Sequence, residues 1–341
     1  MQPHLRRILN WILLAGLVAV ALVTVAPADV ARLAVFAGRQ PGFTALAVAA
    51  YAAAFGLRAV AWQFLLPGPG ARLPFTTLWR LTLVANLVNH LAPGKLGEVA
   101  RVVLAERQGL PREVAIASVV QARLVDTVAL LAVAAPALAW SLTGRGRPLS
   151  AGPGLRPGPG PMPAGPGDVA GLSPTSPGGW PAAALLAAGL GLAALWALRL
   201  LAPWLARRWP ALDALTRPVT AVPPHRLGAS FLAAAASWPL EAGMLALASG
   251  GLGIALDPAA LVAVTLVAVA GQVIALTPGG LGTYEANMTA VLQLYGVPPA
   301  TAFQIALFTH LAKYLFAFAA GLEPAWRLAG GPVRLLGRLR E

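Results

Sequence analysis

Apolar residues occur along the chain in runs that match the thickness of a lipid bilayer. Each run is about 20 residues long, the length that a helix needs to cross the hydrocarbon core, and short polar segments separate the runs. They cover residues 8–26, 43–66, 114–140, 182–202, 228–250 and 300–322. Two further runs, 75–92 and 256–276, each lead directly into a Pro-Gly pair. This pattern predicts an all-α polytopic integral membrane protein.

The composition supports this class and excludes others. Of the 341 residues, 58% are hydrophobic and 11% are charged, and the mean hydropathy of +0.72 is too high for a soluble globular protein. The formal charge of +13 comes from arginines in short loops and tails, which favours a membrane surface over nucleic acid as the partner. Cysteine is absent and the four histidines are far apart, so no disulfide, metal site or cofactor is predicted.

The first apolar run resembles the core of a secretory signal peptide. It follows basic residues and precedes small ones, but its length of about 19 residues exceeds the usual core of about 7–15. We therefore interpret residues 8–26 as a retained first helix.

A Gly/Pro-rich segment divides the single membrane domain, residues 1–341, into two halves. Residues 144–181 hold 21 Gly and Pro in 38 positions, a composition that predicts a disordered loop. The first half contains a predicted repeat at 43–140, and the second half contains its counterpart at 228–322.

Two further segments have a distinct amphipathic or basic character. Residues 203–226 begin with Trp and Leu alternating with Arg, which predicts an interfacial amphipathic helix, with a solvated loop as the alternative. Residues 323–341 form a predicted basic cytoplasmic tail.

The two halves share a motif and the spacing that follows it. The first contains "PGKLGEVAR" and the second "PGGLGTYEA", which place Glu98 and Glu285 after the Pro-Gly pairs. Ionisable residues then follow at the same offsets, +25 and +28, as Arg123 and Asp126 in the first copy and His310 and Lys313 in the second. The matched offsets indicate a duplicated unit.

The distribution of arginine predicts the orientation of the spans. If 75–108 and 256–295 are re-entrant hairpins, six helices cross fully and both termini are cytoplasmic, with 13 arginines in cytoplasmic segments and 5 outside. The first hairpin then opens inward and the second outward, which is the inverted repeat of many transporters. Full crossing of both segments is the alternative, and it weakens the charge bias.

The Pro-Gly pairs predict helix breaks that face the protein interior. Lipid cannot satisfy the free N–H and C=O groups of a broken helix, so such backbone must be buried in protein or line a wet cavity. Each break also creates a helix N-terminus that favours an anion such as phosphate. The predicted break residues are Pro93, Gly94, Gly97, Pro278, Gly279, Gly280 and Gly282.

Ionisable residues near the breaks form the candidate site. A charge inside a membrane costs about 2.5–3.5 kcal/mol on insertion scales, so these residues are expected to converge or to meet water. The predicted substrate-binding or translocation residues are Glu98, Arg101, Arg123, Asp126, Glu285, His310 and Lys313. They could instead be structural ion pairs that fix the hairpins, and both roles can hold for one residue.

Other polar residues in the spans leave their roles open. Asn86, Asn89 and His90 precede the first break and are expected either to line the cavity or to bond neighbouring helices. Arg58, Arg80 and Glu241 have no evident counterpart in the repeat, so no role is assigned to them.

These motifs resemble the flippase-like transmembrane domain of lysylphosphatidylglycerol synthases and its stand-alone relatives. The resemblance rests on "NHLAPGKLGEVARVVLAERQGL", "VVQARLVDTVALL" and "LTPGGLGTYEANMTAVLQLYGVPPA", and covers about residues 45–325 without the Gly/Pro loop. It implies an inner-membrane protein with re-entrant helices around a central cavity that moves lipids or lipid-linked molecules between leaflets. It points to Pro93, Gly94, Gly97, Glu98, Arg101, Arg123, Asp126, Pro278, Gly279, Gly282 and Glu285.

The chain departs from the family pattern in two places. The soluble aminoacyl-transferase domain of the full-length synthases is absent, so lysyl transfer by this chain alone is not expected. His310 occupies a position that is commonly arginine in the family, which leaves the second phosphate contact open.

The expected function is flippase-like transport of a phospholipid or lipid-linked molecule in the cell (inner) membrane. A nucleotide-binding loop of the G-x-x-x-x-G-K-[ST] type is absent, as are common hydrolase motifs, so transport is expected rather than catalysis. The alternatives are an intramembrane aminoacyl or glycosyl transferase, with a carboxylate as base, and a non-transporting membrane scaffold. The expected partners are membrane phospholipids or a lipid-linked substrate, and a separate soluble synthase is a further candidate.

Overall fold

Every regular element in the described part of the chain is a helix. The structure is a computed structural model that describes residues 27–66, 68, 72–92, 95–140, 179–210, 213, 220–274 and 277–329. The helices are α1 Pro27–Arg39, α2 Pro41–Leu65, α3 Phe75–Leu91, α4 Leu96–Arg107, α5 Arg112–Trp140, α6 Gly179–Arg208, α7 Pro224–Leu240, α8 Ala242–Gly251, α9 Pro258–Ala270, α10 Thr283–Leu294 and α11 Pro299–Ala329. Short 3₁₀ turns at Gly271–Ile274 and Pro278–Gly280 lie between α9 and α10.

Four helices in the described residues are long and apolar enough to cross a bilayer. They are Pro41–Leu65, Arg112–Trp140, Pro224–Gly251 and Pro299–Leu328, the third being α7 and α8 together. At about 1.5 Å per residue, even the 25 residues of Pro41–Leu65 exceed the hydrocarbon thickness of about 30 Å. These helices match four of the apolar runs in the sequence.

Several predicted segments lie outside the described residues. They are the first predicted span at 8–26, residues 144–178 of the predicted loop, residues 211–212 and 214–219 of the predicted interfacial segment, residues 330–341 of the predicted tail, and the break residues Pro93 and Gly94.

Some helices extend beyond the predicted boundaries. Helix α6 begins at Gly179, inside the predicted loop, because Pro181 falls in its first turn, where proline needs no hydrogen-bond partner. It continues to Arg208, so residues 203–208 of the predicted interfacial segment complete this helix. Helix α11 continues to Ala329 because Ala325 packs in the core around the first hairpin.

Helix α9 is shorter than the apolar run that contains it. The run continues to residue 276, but α9 ends at Ala270. The Asn287 side chain of α10 lies so close to Gly271 that an added Cβ would overlap it. The helix therefore ends at a glycine, a common residue at helix C-termini, and the missing Cβ leaves room for Asn287.

Each Pro-Gly region folds the chain back on itself. In the first, the Gly97 N–H donates to Asn89 Oδ1 over 2.8 Å, so α4 begins beside the end of α3. In the second, Gln272 Nε2 donates to the Gly279 carbonyl over 3.0 Å. We call α3–α4 the first hairpin and α9–α10 the second hairpin.

The helices that precede the two hairpins run antiparallel to each other. A Cβ added at Gly243 of α8 would lie 3.2 Å from the Ala47 backbone near the start of α2, and Arg226 of α7 donates to the Gln63 carbonyl near the end of α2 over 3.0 Å. The remaining packing is reciprocal, because α3 of the first half packs on α11 and α9 of the second half packs on α5. This arrangement brings both hairpins to the middle of the molecule.

Candidate functional site

A polar cavity of about 160 Å³ lies between the two hairpins. Ala92 and Lys95 from the first break line one part of it, and Thr277, Gly279 and Gly280 from the second break line another. Helices α2, α3, α4, α5 and α11 supply most of the remaining wall. The two breaks therefore meet at one site, although their sequences lie in opposite halves of the chain.

The structure brings the predicted site residues together. Six of the seven line this cavity, namely Glu98, Arg101, Arg123, Asp126, His310 and Lys313. The seventh, Glu285, is 1% exposed at its side chain and contacts the cavity wall through His310. The predicted break residues Gly279 and Gly280 also line it, while Gly97 is buried beneath Asn89 in the first hairpin.

A continuous row of ion pairs crosses the cavity wall. Lys313 Nζ lies 2.9 Å from Glu241 Oε2, and Glu241 Oε1 lies 2.5 Å from Arg58 Nη2. Asp126 then joins the row, with Oδ1 at 3.4 Å from Arg58 Nε and Oδ2 at 3.4 Å from Arg123 Nη1. The five side chains come from four parts of the fold, so the row holds α2, α5, α11 and the α7–α8 junction together.

Aromatic rings hold the cations of this row in place. The Arg58 guanidinium lies 4.2 Å from the ring centre of Trp238, and Lys313 Nζ lies 5.5 Å and 5.2 Å from the rings of Tyr51 and Tyr284. Cations in such positions interact favourably with the negative face of the ring. The row is therefore supported by packing as well as by charge.

The first hairpin presents the start of α4 to the cavity. Lys95, with φ of 58°, is the one non-glycine residue with left-handed backbone among the described residues, and it directly precedes α4. Arg101 pairs with Glu98 on the same helix face at 3.1 Å, and its guanidinium stacks 4.2 Å from the Trp62 ring. Arg101 Nε is buried without a hydrogen-bond partner, so this cation retains one unused donor.

The second hairpin depends on glycines at its turn. Gly279, Gly280 and Gly282 have φ of 61°, 75° and 86°, values that residues with a Cβ rarely adopt. The Gly282 N–H donates to Glu285 Oε2 over 2.7 Å, which caps α10. Tyr314 donates to the Pro278 carbonyl over 3.1 Å and fixes the turn to α11.

The repeat-related charges are not equally accessible. The side chains of Glu285 and His310 are 1% and 3% exposed, and His310 Nδ1 lies 2.7 Å from Glu285 Oε1. Their counterparts at the same offsets, Glu98 and Arg123, have side chains that are 23% and 42% exposed. The charges of the first half are therefore more exposed than their counterparts in the second half.

Sequence reasoning left two central residues without a role. Arg58 and Glu241 form the middle pair of the row and line the cavity, whereas Arg80 does not line it. Arg58 is the one charged residue of the apolar run 43–66, and Glu241 is the one charged residue of the run 228–250. Their opposite charges are a sequence signal that could have paired them. Asn86, Asn89 and His90 line the cavity, and Asn89 also bonds the neighbouring helix α4 through the Gly97 N–H, so both of the open roles occur.

The lining favours an anion over a cation. Among the described residues, five basic and three acidic side chains line the cavity, a surplus of two positive charges. After the row of ion pairs is complete, Lys95 at the start of α4 remains as a further cation. No group of three or more His, Asp or Glu in the described residues is placed to hold a metal ion. A phosphate fits this donor set, because arginine, lysine and a helix N-terminus are its usual partners in proteins.

Comparison with known proteins gives a family for the chain. No curated protein and no solved structure matches the sequence. The sequence model of the family described as "Lysylphosphatidylglycerol synthase TM region" matches residues 8–321, which is nearly the whole chain. This confirms the resemblance found in the motifs and agrees with the apolar helices. The chain is a membrane protein and belongs to the lysylphosphatidylglycerol synthase TM region family.

Proposed function

We propose that this protein is a flippase-like transporter that moves a phospholipid or lipid-linked molecule between membrane leaflets. The observation that carries the proposal is the polar cavity between the two hairpins, with its surplus of positive charge inside an apolar helical protein. Charged residues inside membrane proteins usually mark a pathway for a polar substrate. The lipid head group crosses through the cavity while the acyl chains remain in the bilayer.

The proposed architecture is six crossing helices and two re-entrant hairpins in an inverted repeat. The antiparallel contact of α2 with α7–α8, which are equivalent helices of the two halves, supports an inversion of one half relative to the other. The reciprocal packing of α3 on α11 and α9 on α5 supports the same relation. The arginine distribution supports cytoplasmic termini in the cell membrane.

The size of the cavity supports transport of a head group rather than a whole lipid. Its volume of about 160 Å³ is below the range of about 300–1,000 Å³ that is typical of pockets enclosing a small molecule. The phosphate binds at Lys95, Arg123 and the start of α4, which form the accessible side of the cavity. Polar side chains such as Asn86, Asn89 and Gln272 then bind the rest of the head group.

Fluorescent-lipid movement in proteoliposomes tests this function. Wild-type protein is expected to move the head group of a labelled phospholipid across the bilayer faster than protein-free vesicles. In Glu98→Gln and Glu285→Gln, the loss of a charge-assisted hydrogen bond, about 1.5–3 kcal/mol, is expected to slow the initial rate about ten-fold or more.

A matched substitution outside the cavity serves as the control. Glu106 lies in α4, as Glu98 does, but its partner is the exposed Arg112 at 3.7 Å. Glu106→Gln is expected to retain the wild-type rate. Wild-type protein that moves no lipid would contradict the proposal, and release of a modified lipid from a labelled aminoacyl or sugar donor would favour the transferase alternative.

A further inference from the structure

We propose that Glu285 and His310 form a proton-binding site whose loss of a proton releases the second hairpin and couples lipid movement to a proton gradient. This inference rests on the proposed function and adds the ion that drives it. It starts from the geometry of one imidazole ring.

Both ring nitrogens of His310 face hydrogen-bond acceptors. Nδ1 lies 2.7 Å from Glu285 Oε1, and Nε2 lies 3.1 Å from the Gly279 carbonyl oxygen. A neutral imidazole has one N–H and can satisfy one acceptor, whereas the imidazolium has two and satisfies both. The carboxylate oxygen of Glu285 lies 2.7 Å from Nδ1. The observed arrangement therefore contains one proton more than a neutral histidine next to an ionised glutamate.

The surroundings keep this proton on His310 rather than on Glu285. Glu285 lies in the first turn of α10, where the helix dipole favours a carboxylate, and its Oε2 accepts from the Gly282 N–H. The pair is therefore an imidazolium and a carboxylate with no net charge.

The other titratable groups around His310 are already engaged. His90 of α3 contacts the Asn86 carbonyl through Nδ1 at 2.8 Å, and Tyr314 of α11 donates to Pro278. Lys313 is paired with Glu241, and its ammonium also lies over the rings of Tyr51 and Tyr284. The Tyr284 ring is tilted against that of His310, with 4.3 Å between the ring centres. None of these groups supplies the proton that lies between His310 and Glu285.

Loss of the proton would therefore weaken the turn of the second hairpin. The imidazolium and carboxylate would become a neutral imidazole and a carboxylate, and the proton would leave on water through the cavity that His310 lines. A ring lone pair would then face either Glu285 Oε1 or the Gly279 oxygen, both of which belong to this hairpin. Repulsion between the two acceptors would separate α11 from the turn.

The repeat makes this property specific to one half. The position equivalent to His310, at +25 from the motif glutamate, is Arg123 in the first half, and arginine is always charged. The first half therefore holds a permanent cation, and the second holds one that exchanges its proton. This difference allows a proton gradient to act on one hairpin and not on the other.

Transport under an imposed pH gradient tests the coupling. The initial rate of fluorescent-lipid movement is measured in proteoliposomes with gradients of either direction and with none. Wild-type protein is expected to change its rate about five-fold or more between the two directions, a range typical of coupled sites. His310→Arg places the permanent charge of the first half in the second and is expected to move lipid at one rate under all gradients.

A second histidine provides the matched control. His225 is exposed at the start of α7, and His225→Arg is expected to keep the wild-type response to the gradient. Equal wild-type rates under all gradients would overturn the coupling while leaving the proposed transport intact. Absence of any lipid movement would overturn both.

Nitrogen-15 NMR of histidine-labelled protein tests the proton without a transport assay. His310 is identified as the signal that disappears in His310→Gln. Both ring nitrogens are expected to be protonated at neutral pH, and Glu285→Gln is expected to convert the ring to its neutral form. A neutral His310 in the wild-type protein at that pH would contradict the proposal, whether or not His310→Arg folds.

Discussion

Glu241 is the residue on which the row of ion pairs depends. Its two carboxylate oxygens bind Lys313 and Arg58 separately, so one acidic group compensates two buried cations. The attraction between two buried charges offsets the loss of their hydration when the geometry and the hydrogen bonding are good. Removing one partner leaves the other charge buried and uncompensated. Arg58 retains Asp126 as a second partner, whereas Lys313 has no other acidic partner within ion-pair distance among the described residues.

Glu241→Gln is therefore expected to destabilise the folded protein strongly. The expected loss in the free energy of unfolding is about 3–5 kcal/mol, because two buried cations lose their shared counter-charge. Denaturation with sodium dodecyl sulfate in mixed micelles measures this quantity. Glu106→Gln, which affects an exposed pair, is expected to change it by about 0–1 kcal/mol. A loss in Glu241→Gln as small as the one expected for Glu106→Gln would show that the row contributes little to stability.

At the scale of the element, close packing within a hairpin positions residues of the candidate site. In the first hairpin, Gly97 allows α4 to approach α3 so closely that an added Cβ would overlap the Ala85 carbonyl and the Asn89 side chain. The same approach lets the Gly97 N–H reach Asn89 Oδ1. This close packing positions Glu98 and Arg101 at the cavity.

Gly97→Ala is expected to separate α3 from α4. Overpacking of a closely packed contact costs about 1–3 kcal/mol, and the separation also moves Glu98 away from the cavity. A lower Tm in detergent and slower lipid movement are both expected. Gly56→Ala in α2 is the control, because nothing lies within 4 Å of the added Cβ and no loss is expected. An unchanged Tm in Gly97→Ala would contradict the role given to this contact.

The sequence predicts the helices and their breaks better than their partners. Apolar length and the Pro-Gly pairs give α2, α3, α5 and α11 to within a few residues at most ends, because membrane insertion selects for these local properties. Helix α9 ends before its apolar run does, at Gly271, and glycine is a local signal for a helix end that apolar length alone does not include. The close approach of the Asn287 side chain to Gly271 depends on tertiary packing and has no local signal.

The sequence predicts those residues of the candidate site that occur at matched positions in the two repeats. Matched offsets identify Arg123, Asp126, His310 and Lys313, which the structure brings to one cavity. Arg58 and Glu241 have no evident counterpart in the other repeat, and the structure shows that they pair with each other across the two halves. Opposite charges in two apolar spans have a physical reason to meet, but the sequence does not say which helices are neighbours.

At the scale of the whole molecule, the equivalent helices α2 and α7–α8 run antiparallel, and one polar cavity lies between the two hairpins. The second hairpin is tied to α11 by Glu285, His310 and Tyr314, while the first half presents the more exposed Glu98 of α4 and Arg123 of α5. In the proposed transport cycle, the closed half opens as the open half closes, which moves the access of the cavity from one leaflet to the other. The head group changes sides while the ion-pair row keeps the helices together.

Chemical blocking of the cavity tests this account most directly. The chain has no cysteine, so Asn86→Cys introduces a single thiol at the cavity wall, and Gln108→Cys introduces one on the exposed α4–α5 link as the control. A bulky methanethiosulfonate reagent is expected to stop fluorescent-lipid movement by the Asn86→Cys protein, with recovery after reduction, and to leave the Gln108→Cys protein unaffected. Fully labelled Asn86→Cys protein that moves lipid at its unlabelled rate would contradict passage of the head group through this cavity.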